Sequence, residues 1–341
     1  MQPTITDVAR EAGVSPKTVS RVINDEPGVR PSTRERVLAA VEHLGFHPDR
    51  SARSLRTGRS DTIGLVVPEL DQPFFSALAD EVAEQARRHH LAVVLGVTGA
   101  RGEDEMAFPA RHAGLDGILL YWQGATVQQV SGLARTVPLV LLGEAEHPDA
   151  DRVTMDNEGG IDQVVAHLVA LGRTRVAVIG VPPTSGPTHA AGRRRAAAFH
   201  AAAARHGLAV DPALLVPSIE WRRPDGARAT RELIARDAPF DAVVALNDGL
   251  ALGCVSALGE AGMRVPDDVA VTGFDNLEET QFGFPSVTTV APRLPGYAAD
   301  AVDLLCARIE EPDRPTRTLT QAVALVPRDS TIGGGPSWRA A

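Results

Sequence analysis

Polar side chains stand where two apolar runs of the sequence end, in positions that a buried strand does not need for its own packing. Asn247 and Asp248 follow AVVAL, and Asp275 follows AVTGF. A carboxylate or amide oxygen there can accept hydrogen bonds from hydroxyl groups, and Arg195 can donate two parallel bonds. The register of Arg195 within GRRRAAAF, residues 193–195, stays open, and Asp248 is interpreted as a helix cap.

Aromatic side chains accompany these polar groups along the chain. Phe74 and Phe75 follow the first apolar run, and Trp221 follows LLVPSIE, while Trp122 and Gln123 are weaker candidates. Flat apolar faces beside convergent hydrogen-bonding groups are typical of sites for sugars or nucleosides, although Phe74 fits a core position equally well. The sequence therefore predicts a small-molecule site formed by Phe74, Phe75, Arg195, Trp221, Asn247 and Asp275.

Basic and hydroxyl side chains form a second group near the N-terminus, in the stretch GVSPKTVSRVIN. Lys17 is the only lysine in the chain, and every other fixed positive charge is an arginine. Lysine and arginine donate to guanine in the major groove of DNA, whereas hydroxyl groups suit phosphates. The pattern predicts that Lys17 and Arg21 read bases and that Thr18 and Ser20 hold the backbone. The alternative is an exposed lysine without a role.

Three short helices are predicted to position these side chains. Thr6 caps the first helix, Gly13 allows a tight turn, and Ser15 with Pro16 begins the second, so that the first two helices form a helix-turn-helix. A third helix starts at Ser32, where STRE has capping-box spacing, and stops at Gly45. The apolar stripe of this third helix is predicted to be Val37, Leu38, Val41 and Leu44.

From Asp61 onward, short apolar runs alternate with helical patterns. The runs are IGLVVP, LAVVLGV, DGILLYW, VPLVLLG, RVAVIG, DAVVALN and DVAVTGF. This alternation predicts an α/β body with doubly wound parallel sheets, in which ligands bind at the carboxyl ends of strands. No glycine-rich nucleotide motif, nucleophile elbow or metal-binding spacing occurs, so neither an enzyme nor a bound metal or cofactor is expected.

The charge is divided unevenly along the 341 residues. Residues 1–60 carry a net charge of +3, whereas the rest carries -12 within a total of -9. A basic head on an acidic body favours a DNA-binding unit attached to a separate sensor. No apolar run of about 18 residues predicts a membrane span, and a cleavable leader is not evident. With two separate cysteines, Cys254 and Cys306, the expected compartment is the cytoplasm.

The stretches TITDVAREAGVSPKTVSRVIN and VRPSTRERVLAAVEHLGFHPDRSARSLRTGRSDTIGLVVP resemble the LacI–GalR family of bacterial transcriptional regulators, and the resemblance runs from about residue 4 to about residue 328. It implies that Pro16 and Lys17, the pair after the turn, read bases together with Arg21. Pro16 has no side-chain donor, so its contact would be apolar. The resemblance also implies a hinge that becomes helical on operator DNA, with Ala52, Arg53, Leu55 and Arg56 at the minor groove.

For the body, the resemblance implies two subdomains like those of periplasmic sugar-binding proteins, with the effector in the cleft between them. The expected divisions are a head at 1–48, a hinge at 49–60, an N-subdomain at 61–160 and 290–320, a C-subdomain at 161–289 and 321–329, and a disordered tail at 330–341. Asn247, Asp275 and Arg195 match the family's effector contacts. One departure is PLVLLGE, in which Gly143 stands where some sugar-responsive relatives carry aspartate and Glu144 follows, so one hydroxyl acceptor is missing or shifted.

The predicted partners are double-stranded operator DNA, a small-molecule effector and a second copy of the chain, without a membrane. A two-fold dimer would read a palindrome, and its surface is predicted to include the helix at 249–258 and the first helix after Phe74. The predicted function is a repressor controlled by a carbohydrate. The alternatives are the same architecture responding to a purine or nucleoside, and a solute-binding protein that does not read DNA.

Overall fold

The computed structural model describes residues 3–23, 27–46, 59–183, 190–236 and 238–333. The chain divides into two compact units, Met1–Ser60 and Asp61–Ala341. The predicted hinge residues Ala52, Arg53, Leu55 and Arg56 lie outside the described residues.

The first unit is built from three helices, α1 (Ile5–Ala12), α2 (Pro16–Ile23) and α3 (Pro31–Leu44). One small core, which includes Val8, Val19, Val22, Val37 and Phe46, is buried between them. The apolar residues of α1 and α2 recur every three or four positions, so each helix presents one apolar side to this core. The fold predicted for the head is therefore confirmed.

Two of the predicted helix starts in this unit are wrong. Thr4 caps α1, because its hydroxyl accepts from the backbone of Asp7 while the Asp7 carboxylate bonds back to Thr4; Thr6 lies within the helix. Helix α3 begins at Pro31 after Arg30, without a side-chain cap at Ser32. The start of α2 is confirmed, since Ser15 Oγ accepts from the Thr18 amide at 3.1 Å.

Leu38 is also misplaced in the predicted stripe of α3. It is 50% exposed, whereas Ala40 and Val37 are buried. Gly45 ends α3 as predicted, in a left-handed conformation with φ of 59°.

The second unit contains two six-stranded sheets. The strands of the first are β1 (Thr62–Val67), β2 (Ala92–Val97), β3 (Gly117–Tyr121), β4 (Leu139–Leu142), β5 (Asp151–Met155) and β11 (Thr318–Gln321). Their spatial order is β11-β5-β4-β3-β1-β2, and all neighbours are parallel. The helices beside this sheet are α4 (Pro73–Arg88), α5 (Gly102–Arg111), α6 (Val127–Ala134) and α12 (Leu294–Glu310). Together these elements form the first subdomain.

The second sheet repeats this arrangement with a later part of the chain. Its strands are β6 (Val176–Val181), β7 (Leu215–Pro217), β8 (Ala242–Ala245), β9 (Ala270–Phe274), β10 (Thr288–Pro292) and β12 (Val323–Val326). Their order is β12-β10-β9-β8-β6-β7, parallel except for the antiparallel pair β10 and β12. The helices are α7 (Asn157–Ala170), α8 (Ala190–His206), α9 (Arg223–Ala235), α10 (Asp248–Glu260), α11 (Glu279–Phe282) and α13 (Asp329–Ile332). They form the second subdomain.

The chain passes between the two sheets three times, after β5, after β10 and after β11. Two of the expected subdomain limits differ from this arrangement. Residues 157–160 begin α7, which packs on α8 in the second subdomain, and residues 290–292 complete β10 of the second sheet. Both differences arise because each crossing occurs immediately beside a helix or strand, a position that hydrophobic periodicity does not locate.

The predicted disordered tail begins too early. Ser330 and Thr331 are buried in α13, where Ser330 Oγ donates to Val271 O at 2.6 Å. Residues 334–341 lie outside the described residues.

Among the residues that the structure does describe, no helix is both long enough and apolar enough to span a bilayer.

A buried ion cluster fixes the last parallel strand of the first sheet. The carboxylate of Asp151 is fully buried and accepts from Arg308 Nε at 2.9 Å, from Arg314 Nη2 at 2.7 Å and from the Arg317 amide at 2.7 Å. A buried charge needs such compensation, because an unpaired one costs several kcal/mol. The cluster therefore holds β11 and its preceding loop against β5.

Candidate functional site

A cavity of about 50 Å³ lies in the cleft between the two subdomains of the second unit. All six residues predicted for a small-molecule site line it: Phe74, Phe75, Arg195, Trp221, Asn247 and Asp275. Phe74 and Phe75 come from the first subdomain and the other four from the second. The cavity lies at the carboxyl ends of strands in both sheets, as expected for open α/β folds.

Arg195 is the member of the arginine triplet that reaches this cavity, which settles its register within α8. Its side chain is 6% exposed and its Nη2 lies 3.4 Å from Asp275 Oδ1. It also donates from Nε to Asn157 Oδ1 and from Nη1 to Leu246 O, each at 2.6 Å. The guanidinium lies 3.6 Å from the centroid of the Phe274 ring. These contacts orient Arg195 rigidly before any ligand arrives.

Asp275 presents a buried carboxylate to the cavity. Burial raises the pKa of Asp275 to about 6, and the Arg195 charge opposes that shift. The backbone of Asp275 has φ of 113°, a conformation that costs a residue with a side chain roughly 1–3 kcal/mol. A strained, desolvated acid at a cavity wall is typical of a binding site rather than of a packing position.

Asn247 and Asp248 have roles that differ from the sequence interpretation. Asn247 is the helix cap, because its Oδ1 accepts from the Leu250 amide at 2.8 Å, and its Nδ2 donates to Trp221 O at 3.0 Å. Asp248 is fully buried and accepts from Thr289 Oγ1 at 2.6 Å and from the Leu277 amide at 2.8 Å. Interpreting Asp248 as the cap was therefore wrong. It anchors the loop that carries Asp275, and burial raises the pKa of Asp248.

The indole ring of Trp221 packs against the backbone at Gly180 and Gly192. Its Nε1 donates to Gly180 O at 3.1 Å. A Cβ added at Gly192 would lie 3.0 Å from the indole ring, and one at Gly180, where φ is 104°, would lie 3.2 Å from Nε1. Because the glycines leave room for the indole, Trp221 is held in one orientation as a wall of the cavity.

The aromatic residues of the first subdomain form one cluster. The Phe75 ring lies 4.9 Å from that of Tyr121 and 5.3 Å from that of Phe74, both edge to face. Phe75 is buried and Phe74 is partly exposed, so Phe75 supports Phe74 at the cavity. Gln123 lines the cavity, whereas Trp122 packs away from it and donates to Ala125 O.

A carboxylate lines the cavity next to the position at which a hydroxyl acceptor was expected to be missing or shifted. Gly143 has φ of 91°, and its amide donates to Tyr297 Oη at 2.7 Å. Glu144 lines the cavity with a carboxylate that accepts from Thr154 Oγ1 at 2.6 Å. The carboxylate at this wall of the cavity therefore belongs to the residue after the expected position. Tyr297 also lines the cavity, and sequence reasoning missed it because a tyrosine within a helix, here α12, is typical of an ordinary core.

Two arginines of the second subdomain cross the cleft to carboxylates of the first, and we call these contacts the arginine clasps. Arg194 lies 3.6 Å from Glu144 and 2.7 Å from Glu146. Arg222 lies 2.8 Å from Asp71 and also pairs with Glu69. The clasps span the cleft, so they stabilise the arrangement in which the two subdomains are close.

In the first unit, α2 presents the predicted DNA-contacting residues unevenly. Pro16 and Lys17 are exposed, whereas Thr18, Ser20 and Arg21 are partly buried. The Arg21 guanidinium donates to Pro27 O, in the turn after α2. Arg21 would have to leave this carbonyl to reach a base, so Lys17 is the more accessible donor.

A serine, a histidine and an aspartate also meet on the first subdomain, but in an arrangement unsuited to catalysis. Ser131 Oγ donates directly to Asp149 at 2.8 Å. His147 Nδ1 accepts from the Asp149 amide, so the proton lies on Nε2, which faces Val127 O at 3.0 Å. A protonated Nε2 cannot take a proton from Ser131.

Among the described residues, no three His, Cys, Asp or Glu side chains form a metal site.

Comparison with known proteins finds a matching family model for each of the two units. Residues 4–49 match the model for bacterial regulatory proteins of the lacI family, and residues 165–331 match a periplasmic binding protein-like domain. The HTH-type transcriptional regulator MalR of Streptomyces coelicolor is 34% identical over 343 residues, covering 97% of each chain. The HTH-type transcriptional repressor PurR of Pasteurella multocida is 30% identical over 336 residues, covering 96% of this chain and 98% of that relative. The lac repressor dimer bound to operator and the anti-inducer ONPF superposes with a TM-score of 0.83 at 27% identity, covering 97% of this chain and all of that one.

Proposed function

Because the chain belongs to the LacI family of bacterial regulatory proteins, and so to the DNA-binding regulators of transcription, we propose that it is a repressor controlled by a small neutral effector, a carbohydrate. It binds a palindromic operator as a homodimer in the bacterial cytoplasm. The observation that carries this proposal is the cleft, in which Asp275, Arg195 and Glu144 converge beside two aromatic faces. Its relatives are transcription regulators, and we expect no catalysis.

The cleft suits a ligand that donates several hydrogen bonds and carries no negative charge. Glu144 and Asp275 place one carboxylate on each side of the cavity, and Arg195 is already engaged by Asp275, Asn157 and Leu246 O. A phosphate or carboxylate on the ligand would meet two acids. Hydroxyl groups would instead donate to both, while Trp221 and Phe74 contact the ring.

Coupling to DNA follows from the position of the site. A ligand that contacts both Glu144 of the first subdomain and Asp275 of the second binds the closed cleft more tightly than an open one. The ligand shifts the equilibrium between the open and the closed cleft only by the difference between its affinities for the two states. A change in the closure of the cleft then alters operator affinity through the segment that joins the two units.

An exposed apolar patch, formed by Phe282, Phe284 and the neighbouring Leu252, supports the dimer. Phe282 and Phe284 are each 79% exposed. Leu252 lies beside them, within 4.0 Å of a Cβ added at Gly283. The predicted dimer helix at 249–258 contributes less than expected, because most of its residues are buried against α9 of the same chain. Exposed apolar patches mark interaction sites, so we place the dimer contact here.

A purine or nucleoside is the alternative effector, because Trp221 and Phe74 would stack on a base as well as on a sugar ring. A solute-binding protein that does not read DNA is the second alternative. The packed core of the head and the exposed Lys17 favour DNA binding instead.

Calorimetric titration of the full-length protein with neutral sugars, sugar phosphates, purine bases and nucleosides tests the effector class. We expect a neutral sugar to bind, its phosphate ester to bind at least tenfold more weakly, and Asp275→Asn to lose most of the affinity. Binding of a purine alone would favour the alternative. Unchanged affinity in Asp275→Asn would show that the site lies elsewhere.

A further inference from the structure

A cavity of about 480 Å³ lies on the first subdomain and shares no lining residue with the cleft cavity. It is a groove between α5 and α6, which pack on the same face of the first sheet, and we call it the α5–α6 groove. The two helices contact each other only sparsely, whereas α9 and α10 of the second subdomain pack closely together. The gap between α5 and α6 leaves Ile118 of β3 as the floor of the groove.

Each of these two helices carries, at the groove, a residue that helices disfavour. Gly132 lies inside α6, and a Cβ added there would have no described atom within 4 Å, so packing does not require a glycine. Pro109 lies inside α5, where it has no amide to donate to the carbonyl of Glu105. Both residues line the groove, and both weaken the helix that contains them. Such departures from local helix rules are typical of functional sites, because the fold gains no stability from them.

The walls of the groove are apolar, and the two polar side chains that line it offer hydrogen-bond acceptors. His112 Nδ1 lies 3.0 Å from the Phe108 carbonyl oxygen and must donate to it, so the neutral ring keeps Nε2 as an acceptor. Thr136 Oγ1 donates to Leu133 O at 2.9 Å, which leaves its lone pairs as acceptors. The apolar wall residues include Met106, Leu115, Leu133 and Val137. A ligand that matches these walls has an apolar body and an N–H or O–H donor.

Charge and volume restrict the occupant further. None of the described residues that line the groove is an aspartate, a glutamate, a lysine or an arginine. Residues that directly follow the ends of α5 and α6 line it, and the negative end of a helix dipole disfavours an anion. The volume of about 480 Å³ lies within the roughly 300–1,000 Å³ that is usual for small-molecule sites, whereas a stable protein interface needs about 800 Å² on each partner. The groove therefore fits a small neutral molecule.

We propose that the α5–α6 groove is a second ligand site, which binds a small neutral aromatic molecule with one N–H or O–H donor, such as an indole or a phenol. The ring packs against Met106, Leu133 and Val137, and a methionine sulfur favours an aromatic neighbour. The donor bonds to His112 Nε2 or to Thr136 Oγ1. This site is separate from the cleft, so the proposal does not depend on which effector the cleft binds.

Methyl NMR of the full-length protein, labelled with carbon-13 at the methionine methyl groups, tests the proposal with indole as the probe. The chain has four methionines, of which Met106 lines the groove and Met155 lines the cleft cavity. We expect indole to shift the Met106 resonance, assigned through Met106→Leu, in a saturable manner. Indole-3-acetate, which adds a carboxylate to the same ring system, should bind at least tenfold more weakly. The proposal would be overturned by a shift of Met155 alone, by an unshifted Met106 up to the solubility limit of indole, or by equal affinities for the two probes.

A substitution that fills the groove locates the probe. Gly132→Leu places a side chain in the open space and replaces glycine by a better helix former, so the variant should fold and bind indole at least tenfold more weakly. Gly259→Leu is the matched control, because Gly259 also lies near the end of a helix, has no described atom within 4 Å of an added Cβ, and lines neither cavity. Each variant is compared with its own ligand-free spectrum. Equal indole affinity in the two variants, with both folded by circular dichroism, would contradict the proposal.

Discussion

Asp275 is the residue whose ionisation should control effector binding. Burial raises its pKa to about 6, against the opposing charge of Arg195. Asp248 also faces this part of the structure, and burial raises its pKa as well. A carboxylate accepts from ligand hydroxyls with both oxygens and more strongly than a carboxylic acid does, so the ionised form of Asp275 binds the effector more tightly.

We therefore expect effector affinity to fall as the pH is lowered through 6, by about tenfold between pH 7 and pH 5. The effect of pH on folding stability has the opposite sign. A carboxyl whose pKa is raised on folding contributes stability below its unfolded pKa, and this contribution is lost as the pH rises through about 6. Calorimetry across this range checks the binding prediction, with Asp275→Asn as the variant that should lose the pH dependence. A wild-type affinity that is flat from pH 7 to pH 5 would show that Asp275 does not accept from the ligand.

The residues of the site were partly predictable from the sequence. Trp221 and Asp275 were identified because polar and aromatic residues after buried strands have no packing role there, whereas Arg195, within α8, was identified as a two-bond donor that matches the family's effector contacts. The capping role of Asn247 was missed because Asp248 is an equally good capping residue by type, and only burial distinguishes them. Tyr297 gave no signal, since a tyrosine within a helix is typical of an ordinary core.

At the scale of elements, the arginine clasps should stabilise the closed cleft. Glu69→Gln with Glu146→Gln removes one carboxylate from each clasp, and neither residue lines the cleft cavity. Exposed ion pairs contribute about 0.2–1 kcal/mol each, so the loss of two should weaken effector binding by roughly two- to thirtyfold. Added salt screens these ion pairs and so weakens effector binding by the wild type. The double variant should lose part of this salt dependence.

Glu232→Gln is the matched control for the clasps. Its partner is Arg228 of the same helix, so that pair does not cross the cleft. Titrations at low and high salt compare the variants. Equal effector affinities in the wild type, the double variant and Glu232→Gln would show that the clasps do not stabilise the closed cleft.

The buried ion cluster at Asp151 should dominate the stability of the first sheet's edge. Removing one partner of a buried ion pair typically costs about 3–5 kcal/mol, because the remaining charges are left uncompensated. We expect Asp151→Ala to lower the free energy of unfolding of the second unit by about this amount, measured by urea denaturation. Asp303→Ala removes a carboxylate that is 64% exposed and should change it by less than about 0.5 kcal/mol. Similar values for the two variants would contradict this account of β11.

Helix and strand identity could be predicted better than element limits. In the head, Thr4 and Thr6 are both good caps by type, and the choice of Thr4 depends on its reciprocal bonds with Asp7. Leu38 continues the apolar pattern of α3 but lies half exposed, because the three-helix core is filled by Val37 and Ala40. Local pattern does not contain this tertiary information.

At the scale of the molecule, the apolar patch should hold two copies together. Phe282→Glu with Phe284→Glu places two charges on the proposed contact. We expect a monomer by analytical ultracentrifugation and operator affinity at least a hundredfold weaker, because a single head reads only half of a palindrome. Val127→Glu introduces a charge at an apolar residue that is 50% exposed on another helix, and should remain dimeric. A dimeric double variant would place the contact elsewhere.

The division of the chain into a basic head and an acidic α/β body was predictable from charge and periodicity. The limits of the two subdomains within the body were less so, because the chain crosses between them three times, each time within a residue or two of a strand end. The apolar patch at Phe282 and Phe284 was not predicted, since two phenylalanines separated by one glycine are equally consistent with a buried turn.

Selection of random duplex DNA by the purified full-length protein, at a stated salt concentration, tests whether this chain reads DNA sequence as a dimer. We expect the enriched sequence to be a palindrome of about 14–20 base pairs. We further expect Lys17→Arg to change the preferred base at one symmetric pair of positions. If Lys17 contacts a phosphate instead, Lys17→Ala would weaken binding to all sites alike. An enriched sequence without two-fold symmetry, or no enrichment at all, would contradict the proposal that this chain is a dimeric, sequence-specific repressor.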